Sequence, residues 1–299
     1  MSKRVDFSYL IGGGFDSVSY YRSELPINPA SLPVPMATGI TTKNYSDLTA
    51  VEGKDYRVRF ESIRGVEKKL SGEISIDTSI NEVELLIFAD AVVFPSTTIV
   101  DSSKMPKTLM KTGNVKIVDT VNKLYDDGWI YFDGVNDNLS ASISQLGTSD
   151  FTFECFIVQD LVNSKSYGRL MQIGQNNALG SILLYRQAAS NPATLTLALG
   201  NGSGYYYAVV GTKTLQNSIP NHICLMRKSG IFYLFINGDL DGSNNSHQTF
   251  SISNNPIFIG SNTAGIEEFS GYFSSIRLTK FARYNTSGFT PTQFKFSKP

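Results

Sequence analysis

Paired carboxylates are the first chemistry to test, because a retaining glycoside hydrolase needs two carboxyl groups about 5–5.5 Å apart. Alternate residues on one strand face can supply such a pair. Glu154 stands alone in its strand-like segment, whereas Asp239 and Asp241 follow an Asn-Gly turn and are expected to be solvated. Glu267 and Glu268 are adjacent, so a strand would point them to opposite faces. We therefore expect a protein that is not an enzyme.

The chain also has few histidine and cysteine residues that could serve in catalysis or metal binding. The chain has two histidines, His222 and His247, and no Gly-x-Ser-x-Gly segment that would hold a nucleophile. Cys155 and Cys224 cannot form a disulfide framework or a zinc site. We expect two buried thiols, although the sequence leaves open whether they pair. His222 begins a strand and is expected to be structural.

Calcium is the one plausible ion. Asp133, Asn136 and Asp137 lie in one turn and offer the oxygen ligands that calcium prefers. The alternative is a polar turn that follows a strand. No Asp-x-Asp-x-Asp-Gly loop of the EF-hand type is present, so the expectation is no obligatory cofactor, with calcium possible.

Glycan binding needs aromatic platforms with polar partners on nearby loops. Tyr205, Tyr206 and Tyr207 form the clearest candidate, because strand alternation must turn at least one ring outward. Asn201 and Asn244 are candidate polar partners. The alternative is that the tyrosines pack on a neighbouring strand or a partner subunit.

A short basic stripe contains Arg277, Lys280 and Arg283. Its expected role is a solvated strand face. The same charges would also suit contact with an acidic glycan.

Composition narrows the class of protein. The 299 residues carry 26 basic and 26 acidic side chains, and this balance argues against a nucleic-acid binder. Charged residues make up 17% of the chain, so much of the polar surface must come from Ser, Thr, Asn and Gly. The longest apolar run, Leu85–Phe94, contains Asp90 and is far shorter than the roughly 20 residues that span a bilayer, so no membrane insertion is expected.

Short alternating runs between turn residues predict strands throughout, and no ordinary amphipathic helix is evident. Ser17–Ser23 and Asp55–Ser62 are predicted strands of a first domain, residues 1–84. In the second domain, residues 85–299, about a dozen strands with tight turns predict a jelly-roll sandwich. Asn237-Gly238 is a strong two-residue hairpin signal.

The first domain resembles a fibronectin type III sandwich in "SVSYYRSE", "PVPMATGI" and "NYSDLTAVEGKDYRVRFESI". Tyr56 matches the tyrosine at the corner between the sheets of such domains. Only about one strand precedes Ser17, where the family has two. The resemblance therefore implies an unpaired sheet edge to which another chain could add a strand.

The second domain resembles concanavalin A-like, laminin-G-type domains in "YFDGVNDNLS", "SDFTFECFI", "HICLMRKSGIFYLFINGDLDGS" and "IFIGSN". The run "FSGYFSSIRLTKFARYNTSGFTP" is similar to the end of these domains in bacteriophage virion proteins. Leu85–Phe94 resembles their opening strand. The implied fold is all-β, a small immunoglobulin/fibronectin-like sandwich followed by a concanavalin A-like jelly roll.

This architecture implies a non-enzymatic phage tail, fibre or capsid-decoration protein, located in the virion and assembled in the host cytoplasm. The first domain would attach to other virion proteins, and the jelly roll could bind a host surface polysaccharide. Projecting virion proteins are commonly closed homo-oligomers, so we expect one here. The alternatives are a decoration protein without a glycan ligand and a bacterial glycan-binding or glycan-active protein.

Overall fold

The computed structural model confirms the all-β prediction: its described residues form 22 strands and no helix. The described residues are 2–8, 14–51, 54–78, 82–119, 128–160, 165–187, 193–253, 256–262, 266–291 and 296. The chain divides into two compact units, Met1–Ile80 with Phe296–Pro299, and Asn81–Lys295. No described segment forms a helix of the length and hydropathy that crossing a bilayer requires.

The first unit has seven strands in two antiparallel sheets. The strands are β1 (Ser2–Ser8), β2 (Ser17–Ser23), β3 (Ala37–Ile40), β4 (Asn44–Val51), β5 (Asp55–Arg64), β6 (Glu67–Leu70) and β7 (Ile74–Asp77). One sheet pairs β1 with β4, and the other has the order β3-β2-β5-β6, with β7 also paired to β5. Among the described residues one strand, β1, precedes β2.

A small aromatic core holds this unit. Alternation along β2 and β5 buries Val18, Tyr20, Val58 and Phe60, against which Phe7 of β1 is partly buried. The Tyr56 hydroxyl accepts a hydrogen bond from the Val51 N–H at 3.0 Å, which ties β5 to the end of β4. The fibronectin relationship itself remains a resemblance.

Asp47 adds a buried charge to the first unit. Its Oδ2 accepts hydrogen bonds from the Tyr20 hydroxyl at 2.9 Å and from the Arg22 guanidinium at 2.5 Å. Burial opposes its ionisation, but the hydrogen bonds from Thr49 and Tyr20 and the charge of Arg22 together outweigh burial, so the Asp47 pKa is lowered. Asp47 lies within β4.

The second unit is a jelly roll of fifteen strands. They are β8 (Val83–Ile87), β9 (Met110–Thr112), β10 (Lys116–Val118), β11 (Trp129–Asp133), β12 (Asn138–Ala141), β13 (Phe151–Gln159), β14 (Arg169–Ile173), β15 (Ile182–Arg186), β16 (Leu195–Gly200), β17 (Tyr205–Val210), β18 (Asn221–Lys228), β19 (Ile231–Ile236), β20 (Asp239–Asn244), β21 (Ile257–Ile259) and β22 (Ser270–Thr279).

Two sheets enclose the main core of the jelly roll. The eight-stranded sheet has the order β10-β11-β22-β13-β18-β19-β20, with β8 paired to β22, and the seven-stranded sheet has the order β17-β16-β15-β14-β21-β12-β9. Alternate residues point inward, such as Phe151 and Phe153 of β13 and Leu195 and Leu197 of β16. Each sheet therefore keeps one face for the core and one outer face.

The hairpin signals explain how neighbouring strands connect. Asn237 and Gly238 have φ values of 54° and 82°, the positive pair that the predicted tight turn requires.

The apolar run Leu85–Phe94 was expected to be one strand, but β8 ends at Ile87. Beyond it the Ala89 carbonyl accepts a hydrogen bond from the Gly128 N–H, so the run continues as irregular chain with Ala89 buried.

Candidate functional site

The outer face of the seven-stranded sheet carries a patch of aromatic side chains. Along β15 the core takes Ile182 and Leu184, and the alternate residues Leu183 and Tyr185 form a separate outer cluster against which Tyr205 packs. We call the outer surface formed by Tyr167, Tyr185, Tyr205, Tyr207 and Arg169 the tyrosine face.

Two rings of the tyrosine face reach solvent. Tyr207 is 64% exposed and pairs across the sheet with Ala198, a member of the same outer cluster. Tyr167 is 48% exposed, and its ring centroid lies 5.8 Å from that of Tyr185. Tyr185 itself is almost fully buried, and burial raises its pKa to about 12. The face therefore presents two accessible rings beside a rigid aromatic base.

Arg169 lies in the middle of this surface with most of its donors already engaged. Its guanidinium is 4.9 Å from the centroid of the Tyr185 ring, which gives a cation–π contact. It donates to Glu267 Oε2 at 2.6 Å and to the Tyr167 carbonyl at 3.0 Å. Because Glu267 neutralises the charge and the carbonyl holds the Tyr167 backbone, Arg169 fixes the geometry without making the face basic.

The loop before β22 completes this arrangement. Glu267 adopts a φ of 58°, a left-handed conformation that costs a non-glycine residue on the order of 1–3 kcal/mol. Its Oε2 also accepts a hydrogen bond from Asn262 Nδ2 at 2.9 Å, and its carbonyl accepts one from the Arg169 N–H at 2.9 Å. These contacts hold the strained residue beside Arg169.

The five residues expected to bind glycan divide into two places. Tyr205 and Tyr207 lie on the tyrosine face, and the Tyr205 hydroxyl accepts a hydrogen bond from the Asn177 N–H at 3.1 Å. Asn201 lies in the hairpin before Tyr205, where its Oδ1 accepts hydrogen bonds from the N–H groups of Ser203 and Gly204. That oxygen supports the turn, so Asn201 contributes structure to the hairpin.

Tyr206 and Asn244 belong to a different cluster. The Tyr206 ring centroid lies 4.9 Å from that of His247, and His247 Nδ1 is 3.0 Å from Asn244 Oδ1. The structure therefore separates the three consecutive tyrosines, because alternation along β17 turns Tyr206 away from its neighbours, and the glycan-binding role of these residues stays a prediction. Sequence reasoning also missed Tyr167 and Arg169, which come together with Tyr185 through pairing of β14 with β15.

The outer face of the eight-stranded sheet is closed. Glu154, fully buried, accepts a bond from the Arg277 guanidinium at 2.9 Å and from the Tyr284 hydroxyl at 2.6 Å, and lies 3.2 Å from His222 Nε2. Burial opposes its ionisation, but the charges of Arg277 and Arg283 and the His222 contact outweigh burial, so its pKa falls to about 2.

This cluster corrects the prediction of a solvated basic stripe. Arg277 is fully buried and Arg283 is 6% exposed, whereas Lys280 between them is exposed. The reason is the opposing carboxylate of Glu154, which is paired with Arg277 across the sheet. Glu154 is therefore an internal counter-ion, and no substrate can reach it in this structure.

The chain after β22 covers the outer surface of the eight-stranded sheet around Glu154. Thr152 Oγ1 donates to the Phe281 carbonyl at 2.9 Å and accepts a hydrogen bond from the Arg283 N–H at 3.1 Å. Tyr284 and Phe289 stack at 3.7 Å and pack with Phe235 in an apolar cluster. We call the outer surface around Glu154 and Phe235 the closed face.

The two cysteines lie on opposite sides of the eight-stranded sheet. Cys155 is part of the main core, whereas Cys224 belongs to the closed face. Both are buried free thiols, and burial raises the pKa of each well above its usual value. They are thus the two buried thiols that the sequence predicted.

The suggested calcium residues form a hydrogen-bonded turn. Asp137 is buried, and its carboxylate accepts bonds from the Asn114 N–H at 2.5 Å and the Asp133 N–H at 2.7 Å. Asp133 Oδ1 accepts a bond from the Val135 N–H, and Asn136 is exposed with a φ of 61°. Within the described residues no group of three His, Cys, Asp or Glu side chains is arranged to hold a metal. Calcium binding remains a prediction, and the observed bonds are those of a polar turn.

Comparison with known proteins gives a family and a fold. A family model described as the concanavalin A-like lectin/glucanases superfamily matches residues 133–285, about half of the chain. No curated protein sequence matches. The binding domain of Paraclostridial Mosquitocidal Protein 1 is similar in structure, with a TM-score of 0.50 and 17% identity over 70% of this chain and 51% of that one. This chain therefore spans about half of that domain.

Two further solved structures are similar over parts of the chain. Domain 4 of AbnA, an extracellular arabinanase from Geobacillus stearothermophilus solved with arabinotriose, has a TM-score of 0.49 and 12% identity and covers 67% of this chain and 93% of its own. The CBM40 of the Ruminococcus gnavus IT-sialidase, solved with sialyllactose, has a TM-score of 0.36 and 15% identity and covers 46% and 78%.

Proposed function

The chain belongs to the concanavalin A-like lectin/glucanases superfamily, and on this premise we propose that its jelly roll is a non-enzymatic glycan-binding domain whose ligand lies on the tyrosine face. The observation that carries the proposal is the pair of exposed rings, Tyr167 and Tyr207, beside the fixed Tyr185 and Arg169. Sugar rings have apolar C–H faces that pack on such rings, because aromatic side chains bury a large apolar area with a defined geometry.

The polar groups of the face favour a neutral sugar. Arg169 is already neutralised by Glu267 at 2.6 Å, so the pair adds no net charge. Tyrosine hydroxyls and the partly exposed Glu267 side chain can exchange hydrogen bonds with sugar hydroxyls. Since Arg169 and Glu267 are held by their mutual contact before any ligand arrives, ordering these two side chains would cost little entropy.

The positions of the described carboxylates support the proposal of a non-enzymatic domain. Glu154, the acidic residue of β13, is enclosed by Arg277, His222 and Tyr284. On the tyrosine face Glu267 is bound to Arg169 and Asn262. A glycosidase mechanism needs a pair of available, suitably spaced carboxyl groups. Because the Glu267 carboxylate is engaged by Arg169 and Asn262, we propose that this residue supports binding.

The test exploits two neighbouring tyrosines that point in different directions. A glycan array with the full chain would identify a ligand, and the Tyr207→Ala and Tyr206→Ala variants would be titrated with it. Tyr206 is a matched control because it is 49% exposed but lies against His247. We expect Tyr207→Ala to weaken binding about tenfold or more and Tyr206→Ala less than twofold, since a contact with an aromatic ring is worth about 0.5–1.5 kcal/mol beyond the area it buries.

The opposite ranking of the two variants would move the site to the Tyr206 cluster. A chain that binds no glycan would support the alternative of a purely structural decoration protein. Glycan hydrolysis that Glu154→Gln abolishes would revive the glycan-active alternative.

We also propose that the chain is a bacteriophage virion protein attached through its first unit. The support is the resemblance of the run from residue 269 to 291 to the ends of phage jelly rolls, together with the one strand that precedes β2 among the described residues. In the described residues β1 pairs with β4, and strand addition along β1 would give a means of attachment to another virion protein.

Mass spectrometry of purified phage particles tests this assignment. We expect peptides of the chain in the particle, at a stoichiometry that a closed homo-oligomer explains. Particles that lack the chain would refute the virion location and leave the glycan-binding proposal to be judged by its own titrations.

A further inference from the structure

A second surface of the jelly roll forms a pocket away from the tyrosine face. Its volume is about 690 Å³, within the range of small-molecule sites. The walls come from the start of β8, the residue after β22, the loop before β9 and the chain that follows β12. Three lysines and two glutamates line it: Lys104, Lys107, Lys280, Glu82 and Glu84.

We propose that this pocket binds a sugar unit that bears one carboxylate, such as a uronic acid. The lining has three ammonium groups and two carboxylates, so its formal charge is +1 and matches a single negative charge. A phosphate carries about −1.5 to −2 at neutral pH and offers few donors to two glutamates. A sugar carboxylate with adjacent hydroxyls supplies both the charge and the donors.

Glu84 is the fixed hydrogen-bond acceptor of the pocket. It is 7% exposed, and its Oε1 accepts bonds from the Ser144 N–H at 2.7 Å and from its hydroxyl at 3.0 Å, with Lys107 Nζ at 3.2 Å. Burial opposes ionisation of Glu84, but Ser144 and Lys107 outweigh it, so its pKa is lowered. Its Oε2, which lies 3.0 Å from the Ser144 hydroxyl, keeps a further lone pair that can accept a sugar hydroxyl.

Lys280 is the cation best placed to meet the ligand carboxylate. It is exposed, and its backbone N–H donates to the Glu82 carbonyl at 2.9 Å, which fixes its main chain at the pocket. Lys107, by contrast, is already engaged by Glu84. The apolar side chains of Met105 and Ile143 offer a wall for the C–H face of the sugar.

The experiment is a titration of the full chain with trigalacturonic acid at low ionic strength, with neutral galactotriose and inorganic phosphate as separate ligands. We expect trigalacturonic acid to bind and the other two to bind at least about tenfold more weakly, the usual size of a charge-assisted contact. Lys280→Met should weaken binding about tenfold. Lys111→Met, the same change at an exposed lysine of β9, should leave it unchanged.

Three results would overturn the assignment: no binding of trigalacturonic acid at millimolar concentration, equal binding of phosphate, or insensitivity to Lys280→Met. Tyr207→Ala separates this site from the proposed glycan site, because the pocket does not include the tyrosine face. If that variant abolishes binding of trigalacturonic acid, the ligand lies on the tyrosine face and the pocket assignment is wrong.

Discussion

The two outer faces of the jelly roll use similar residues for opposite purposes. Each contains a buried arginine that contacts a carboxylate: Arg277 with Glu154 on the closed face, and Arg169 with Glu267 on the tyrosine face. The chain after β22 covers the first pair with Tyr284 and Phe289, whereas the second lies beneath exposed rings. The chain itself therefore occupies the closed face, whereas the exposed rings of the tyrosine face are accessible, which is why we propose the tyrosine face as the glycan-binding surface.

The largest expected effect is the loss of the buried carboxylate. Glu154→Ala leaves Arg277 without its counter-ion in a dry environment, and we expect about 3–5 kcal/mol of lost stability. Urea unfolding followed by Trp129 fluorescence measures it, because the single tryptophan is buried in this unit. Asp239→Asn, at an exposed acid, should stay within about 0.5 kcal/mol of the wild type. Equal effects of the two variants would show that the closed face is not held by this charge cluster.

Lowering the pH should reduce the stability that Glu154 gives to the closed face. The Glu154 pKa in the folded chain is about 2, below its usual 4.5, so its stabilisation is complete above pH 4.5 and is lost as pH falls towards 2. The difference corresponds to roughly 3 kcal/mol. Glu154→Gln imitates the protonated state, so the stability gap between wild type and variant should close over this pH range. A gap that is constant between pH 5 and pH 2 would contradict the assignment of charge to Glu154.

Loss of the ion pair on the tyrosine face should cost less stability than loss of the Glu154 carboxylate. Arg169→Met removes the bond to Glu267, but the partly exposed Glu267 side chain can be hydrated, so we expect about 1–3 kcal/mol. Glycan affinity should fall as well, since Arg169 holds the Tyr167 backbone. Calorimetry and ligand titration measure the two effects, with Lys111→Met as the exposed control. A cost as large as that of Glu154→Ala would remove the distinction between the faces.

The smallest stability effect belongs to the exposed ring itself. Tyr207→Ala should change the free energy of unfolding by no more than about 0.5 kcal/mol, because the side chain is 64% exposed. Thermal unfolding would check this against Tyr185→Ala, which removes a buried ring and should cost about 3–5 kcal/mol. A large loss in Tyr207→Ala would mean that the ring supports the sheet and is not held ready for a ligand.

Local patterns in the sequence predicted much of the fold. The alternation of Asp55–Ser62 and the Asn237-Gly238 turn specify a strand and a hairpin from neighbouring residues. Both predictions were confirmed, and the strand continues to Arg64. The end of β8 was mispredicted, because a continuing apolar run does not reveal where pairing stops.

The site was less predictable because it depends on distant partners. Arg277 resembles a solvated basic residue until Glu154, 123 positions away, is placed opposite it. Alternation indicated that a tyrosine of residues 205–207 would face outward, but not that Tyr206 would meet His247. The Asn201-Gly202-Ser203-Gly204 run signals a tight turn and could have identified Asn201 as a turn residue.

The central claim is that the tyrosine face, and not the closed face, binds glycan. Its most direct test is a set of binding isotherms for wild type, Tyr207→Ala and Tyr233→Ala against one glycan identified with the full chain, since Tyr233 packs on the closed face. We predict a loss of about tenfold or more for Tyr207→Ala and less than twofold for Tyr233→Ala. A loss confined to Tyr233→Ala, or an equal loss in both, would contradict the account.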